Sequence, residues 1–246
     1  MRLRACLVVG SALLASAFLA AAASAGPYRV KRLQAISGPS PFAAGCPGAR
    51  FDDTNVTGLE TEPFVAVNPA RPGDIVATWK QDGTRTDLIA SSLNHGKTWK
   101  RSTIPDLSAC TGGTADGASD PWVSAGGDGT VYFGGLPADL STAPPAVAVV
   151  ASHSGDGGRT WGAPATVAPP RQGNDTDAIT GSPTLPGHAY MAWANFTGEL
   201  PRTNSLEFAR TSDGGATWSP RFSSTSRVRS RSTSHRGFSP SRTERS

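Results

Sequence analysis

The stretch "SGDGGRTW", residues 154–161, sets two adjacent glycines after an aspartate and a tryptophan three residues past the second glycine. An Asp-Gly hairpin loop asks only for positive φ at its centre, so the threonine and tryptophan must answer a further requirement. The spelling recurs as "TSDGGATW" (211–218) and "SLNHGKTW" (92–99), which makes the pattern Ser/Thr-x-Asp/Asn-x-Gly-x-Thr-Trp. Its tryptophans, Trp99, Trp161 and Trp218, stand 62 and 57 residues apart. That is a repeat.

A second set of segments keeps the same pitch. "EPFVAVNPARPGDIVATW" (62–79), "DPWVSAGGDGTVYFGG" (120–135) and "DAITGSPTLPGHAYMAW" (177–193) each run from an acid through a short apolar strand and a Gly/Pro turn to a second apolar strand. Glu62 and Asp120 are 58 residues apart, Asp120 and Asp177 57. A period near 60 with several short strands and no helical pattern predicts an all-β chain, a β-propeller with about three four-stranded blades. In the first unit the strands are expected near 65–67, 75–79, 88–92 and 99–104. The box then joins the third strand to the fourth.

The chemistry of the box suits that junction. Ser92, Ser154 or Thr211 and Asn94, Asp156 or Asp213 can accept from the turn's own N–H groups, as in Asx and ST turns. Gly96, Gly158 or Gly215 supplies the left-handed position, and Trp99, Trp161 or Trp218 packs beneath the turn. This use occupies the box residues fully, so they are read as structural.

The boxes resemble the Asp-box, or bacterial neuraminidase repeat, of sialidases and of a wider group of propellers. The full unit is similar to secreted bacterial proteins of the sialidase-like superfamily, over residues 62–218. The resemblance implies a propeller that typically has six blades, with boxes on its periphery. For activity it implies retaining glycoside hydrolysis by an arginine cluster, an Asp acid/base and a Tyr nucleophile helped by Glu. The Phe/Tyr-Arg-Ile-Pro element of that family is absent before the first box, and none of Tyr28, Tyr132 and Tyr190 has an evident glutamate partner.

Residues 1–25 carry Arg2 and Arg4, an apolar stretch and Ala23-Ser24-Ala25, the plan of a cleavable signal peptide. A secreted or periplasmic product is expected, with no membrane span after cleavage. Residues 26–61 form an N-terminal extension, 62–221 the blades, and 222–246 a tail with nine serines and six arginines that reads as disordered. The tail's abrupt start suggests a shifted reading frame. Of the formal charge of +4, the tail and leader hold the excess, and the blades are net negative, so no nucleic-acid partner is expected. Cys46 and Cys110 each precede the first strand of a unit and can pair in an oxidising compartment. Open blade edges predict self-association.

For chemistry, Glu62, Asp120 and Asp177 begin the first strand of each unit, and in a propeller those strands surround the axis. They are the candidate catalytic carboxylates, as acid/base pair or cation ligands; the alternative is that each caps a turn. Arg85 and Arg202, in loops between second and third strands, are candidates for a substrate carboxylate. His95, His153 and His188 lack metal-ligand spacing, and neither a metal nor a cofactor is expected. Asn55, Asn174 and Asn195 open N-x-Ser/Thr sequons. Three functional readings stand: a glycoside hydrolase of sialidase-like lineage acting on extracellular glycans or glycoconjugates, a non-catalytic glycan- or protein-binding propeller, or an inactive truncated product.

Overall fold

The structure, a computed structural model, describes residues 33–42, 46, 57–197 and 203–226. The chain divides into two units, Met1–Ala35 and Ile36–Ser246, and every strand belongs to the second. The leader, Tyr28, Asn55, Arg202 and residues 227–246 lie outside the described residues.

Twelve strands form three four-stranded antiparallel sheets, each joined in simple succession. The first holds β1 (Glu60–Val67), β2 (Ile75–Gln81), β3 (Thr86–Ser92) and β4 (Lys100–Thr103). The second holds β5 (Gly117–Ala125), β6 (Val131–Asp139), β7 (Ala146–Ser154) and β8 (Ala165–Arg171). The third holds β9 (Asn174–Gly181), β10 (Ala189–Thr197), β11 (Thr203–Thr211) and β12 (Phe222–Ser226). A 3₁₀ turn, Ala109–Thr111, lies between the first two sheets. The first strands β1, β5 and β9 lie side by side, as inner strands of successive propeller blades do. β12 corrects one expectation: Phe222–Ser226 falls at the head of the Arg/Ser-rich tail, yet pairs with β11 from Phe208↔Phe222 to Asn204↔Ser226. Phe222 and Thr225 favour a strand, and the serines between and after them pair through their backbone with a sheet whose other strands are already in place.

Period-2 alternation gives each blade two apolar faces, and the faces pack blade on blade. Val76 and Ile89 of the first blade meet Val123, Val131, Phe133 and Val150 of the second. Tyr132, Leu136 and Val149 on the second blade's other face meet Ile179, Met191 and Trp193 of the third. The first blade's outer face, with Trp79, Leu88 and Ala90, is covered by Ile36 and Phe42. The segment around residues 36–42 thus occupies the position of a preceding blade. It is pinned there by Asp82, buried and at φ 53°, which accepts from Ser40 Oγ, from Gly58 N at 2.6 Å and from Gln81 Nε2 at 2.8 Å. A Cys46–Cys110 disulfide, 64 residues apart, ties the extension to the link between blades. In the chain-entropy model a loop of that length contributes about 4 kcal/mol. On the third blade Leu206 and Phe222 stay exposed.

The boxes form the β3–β4, β7–β8 and β11–β12 junctions. In the second, Ser154 Oγ accepts from Gly158 N at 2.9 Å, while Asp156 Oδ1 accepts from Thr160 N and Arg159 N at 3.0 Å. Thr211 and Asp213 repeat the pattern, and in the first box Asn94 Oδ1 accepts from Thr98 N at 2.9 Å. Each tryptophan turns toward the face preceding its own blade. Trp161 joins the core between blades one and two, edge-on to Phe133, Trp218 that between blades two and three, and Trp99 the core under Ile36 and Phe42. Trp99 and Trp161 donate Nε1–H to the carbonyls of Gly96 and Gly158. All three indoles seal a blade against the face before it, and those of Trp99 and Trp161 also tie the turn to its own blade, whereas Trp218 Nε1 has no partner.

Candidate functional site

Each inner strand breaks its register once, at the same place. β1 slips between Thr61 and Phe64, β5 between Ser119 and Trp122, and β9 between Asp175 and Asp177. The residues at the bulges, Glu62, Asp120 and Thr176, have φ of 53°, 54° and 47°. Positive φ is costly for side chains with a Cβ, above all for a β-branched threonine, and such strain clusters at functional sites. Pro63 and Pro121 follow the first two bulge residues; without an N–H they cannot pair, which opens the bulge.

The register corrects the alignment drawn from spacing alone. Thr176, not Asp177, is the equivalent of Glu62 and Asp120, and Asp177 stands where the other units have proline. It pairs with Trp193 and is buried. The sequence could not reveal this, since the third unit lacks the proline that marks the bulge.

The bulges bring the three candidate carboxylates together. A pocket of about 330 Å³ is lined by Glu62, Pro63, Phe64, Asp120, Pro121, Trp122, Thr176 and Asp177. Phe64 and Trp122 stack within it, ring centroids 3.7 Å apart. Glu62 is fixed at both oxygens: Oε1 accepts from Lys80 Nζ at 2.7 Å and Oε2 from the Asp120 N–H at 3.1 Å. Asp120 is only partly exposed, and desolvation together with the neighbouring Glu62 charge raises its pKa above the ordinary carboxylate value. Asp177 is raised well above it, by burial first and then by Asp120 and Asp87. Neither Asp177 oxygen has a hydrogen-bond partner.

Asp87, on β3, was missed by the sequence reading. It is fully buried with both oxygens unpartnered, and its pKa is raised well above the ordinary value by burial, Asp120 and Glu62 against the opposing charge of Lys80. A signal was present. Counting back from each box, the second and third units have Val149 and Leu206 where the first has Asp87.

A glycine pair makes room for both buried acids. A Cβ on Gly134 would lie 2.5 Å from Asp177 Oδ2, and one on Gly135 would meet the Phe133 ring first, at 2.7 Å, and then Asp87 Oδ2 at 3.2 Å. Gly135 occupies the β6 position held by Trp79 in β2 and Trp193 in β10, opposite Val150, Leu88 and Glu207 respectively. The pair therefore lies mid-strand and serves to clear space on both faces of the central blade.

Other candidates lie elsewhere. Arg85 does not line the pocket: its NH1 donates to the Phe42 carbonyl at 2.6 Å and lies 3.7 Å from Asp82, so it holds the N-terminal segment. Tyr132 is buried between blades, and Tyr190 stacks on Phe208 of the third blade. The sequon residues Asn174 and Asn195 are buried and bonded to each other, Asn195 Nδ2 donating to Asn174 Oδ1 at 3.0 Å. Buried amides of this kind are not accessible to glycosylation. Among the described residues no three His, Cys, Asp or Glu side chains are placed to hold a metal ion, and no helix is long and apolar enough to cross a membrane.

No protein-family model and no curated protein matches the chain. Solved structures similar to it include a protein of unknown function from Dyadobacter fermentans, at 16% identity and TM-score 0.49, covering 70% of this chain and 58% of that one. A Hadza microbial sialidase matches at 16% identity and TM-score 0.44, over 65% of this chain and 36% of its own. An α-L-arabinanase of Penicillium chrysogenum, solved with arabinobiose, matches at 20% identity and TM-score 0.44, over 67% and 49%. The chain thus spans about a third to three fifths of the length of these proteins.

Proposed function

We propose that the chain carries the carboxylate centre of an exported glycoside hydrolase acting on extracellular glycans. The observation that supports this most is the convergence of Glu62, Asp120 and Asp177, from three blades, on one pocket faced by the stacked rings of Phe64 and Trp122. Glycosidic bond cleavage needs one carboxyl that holds a proton and one that is charged, and neighbouring acids in unequal environments provide both. Aromatic faces beside them suit the C–H face of a sugar ring.

In this reading Asp120, whose pKa is raised by desolvation and by Glu62, protonates the glycosidic oxygen as its bond to the anomeric carbon breaks. Glu62, oriented by Lys80 and the Asp120 N–H, accepts the proton of the water that adds to that carbon. The sialidase-type nucleophile finds no support among the described residues, since Tyr132 and Tyr190 both lie away from the pocket. The carboxylates alone carry the proposal. Turnover of a panel of aryl glycosides by purified protein, abolished in Asp120→Asn, supports it; a panel without any release defeats it.

Binding without turnover is the second reading, favoured by the absence of arginine from the pocket lining. Retention of glycans on the protein with no product formed separates it from the first.

A further inference from the structure

The pocket has a sign. Its lining includes Glu62, Asp120 and Asp177 and no lysine, arginine or histidine. Lys80 stands behind it, bonded to Glu62. A ligand bearing a carboxylate or phosphate would meet like charge with no guanidinium to receive it, which is the reverse of what anion recognition requires.

Asp177 shows what the site lacks. It lines the pocket, is 3% exposed, and neither oxygen accepts a hydrogen bond. A buried carboxyl left without a partner is costly, so a ligand that brings donors to it recovers that cost on binding. Beside it the stacked faces of Phe64 and Trp122 attract cations as well as C–H groups.

We propose that the pocket receives an ammonium group, carried by an amino-sugar residue whose ring lies against Phe64 and Trp122 and whose amine is directed to Asp177 and Asp120. This deepens the glycosidase reading and rests on it, naming the sugar class as one with a free amine. The acids that line the pocket are Glu62 on β1, Asp120 on β5 and Asp177 on β9, and the charges of Lys80 on β2, Asp87 on β3 and Asp175 on β9 act on them from outside the lining. The ammonium charge lowers the raised pKa of the acids beside it, so binding shifts their proton equilibrium and its heat depends on the buffer.

The test is calorimetric titration of the full chain at neutral pH with methyl glucosaminide, methyl N-acetylglucosaminide, methyl glucuronide and cyclohexylamine, in two buffers of different ionisation heat. The glucosaminide should bind about tenfold more tightly than its neutral N-acetyl counterpart. Its heat should depend on buffer, its advantage should shrink with added salt, and the glucuronide should bind least. Asp177→Asn, nearly the same shape but unable to ionise, should bring the ratio of glucosaminide to N-acetylglucosaminide affinity close to one. If Asp177→Asn fails to fold, the salt and buffer dependences of the native chain decide. Equal affinity for glucosaminide and N-acetylglucosaminide overturns the inference while the glycosidase reading stands. Binding of no glycoside at all overturns both. Cyclohexylamine binding as tightly as the glucosaminide keeps the ammonium site and removes the sugar from it.

Discussion

Gly134→Ala is the sharpest probe of the buried acids. The added Cβ would lie 2.5 Å from Asp177 Oδ2 and 3.0 Å from Met191 Cε, with Ile179 Cβ at an ordinary 3.5 Å. Two side-chain ends must move: Met191 is buried between blades, whereas Asp177 can turn its carboxyl into the pocket it lines. Overpacking of this kind costs about 1–3 kcal/mol, and the roughly 0.4–1 kcal/mol that Gly→Ala recovers from the unfolded chain offsets only part of it. The net loss should lower Tm by a few degrees, since about 1 kcal/mol moves Tm some 2–4 °C at this size. The contact with Asp177 can be isolated by a double-mutant cycle, because Asp177→Ala removes the oxygen that the new methyl group meets. Denaturant midpoints for the two single variants and the double variant should show a favourable coupling of about 1 kcal/mol or more. Additivity within about 0.5 kcal/mol would refute the claim that Gly134 is small for the sake of the carboxyl.

The raised acids make stability depend on pH with a definite sign. Asp87 and Asp177 hold protons in the fold above the unfolded value near ~4, so their stabilising effect is full below that value and is lost as pH rises through the folded pKa. Urea midpoints should fall toward alkaline pH, and Asp87→Asn with Asp177→Asn should flatten the decline. On the acid side Asp156 acts oppositely. Although partial desolvation works to raise it, hydrogen bonds from Thr160, Ser154 and Arg159 pull it down to about 2, so its contribution is present above ~4 and lost as pH falls toward 2. Asp156→Ala should cost about 1–2 kcal/mol at neutral pH and remove part of the acid-side slope, read from melts between pH 2 and 6. Asp82→Ala should be the most damaging single change away from the pocket, about 2–4 kcal/mol, because it strands the buried Gln81 amide and the Gly58 N–H and frees Arg85. Hydrogen exchange should show residues 36–42 and 58 losing protection first.

The blades were legible because three copies of one box, at nearly equal pitch, specify both a turn and a seal, and no other arrangement uses Trp99, Trp161 and Trp218 alike. The grouping of Glu62 and Asp120 was legible for a similar reason: each holds the same place in the first strand of its unit, and those strands lie side by side. The register of the third unit was not. In the first two units a proline signals the bulge, whereas in the third Thr176 takes the positive φ with nothing in its chemistry to announce it. Asp87 and the packing of residues 36–42 on the first blade were hidden because they depend on pairings between distant segments. Asp87 becomes notable only when Gly135 is set beside it, and the role of Arg85 only when Phe42 and Asp82 are. The strand at Phe222–Ser226 was concealed by composition, since its serines pair as backbone whatever their side chains prefer.

The central claim is that Asp120 delivers a proton to a glycoside held in this pocket. The most direct measurement is kcat/KM against pH, for the native chain and for Asp120→Asn, on the best aryl glycoside of the panel. The account predicts a bell-shaped profile whose alkaline limb lies above the ordinary carboxylate range, with at least ~100-fold loss and no such limb in the variant. Unchanged activity in Asp120→Asn, or a limb that survives the substitution, would contradict it.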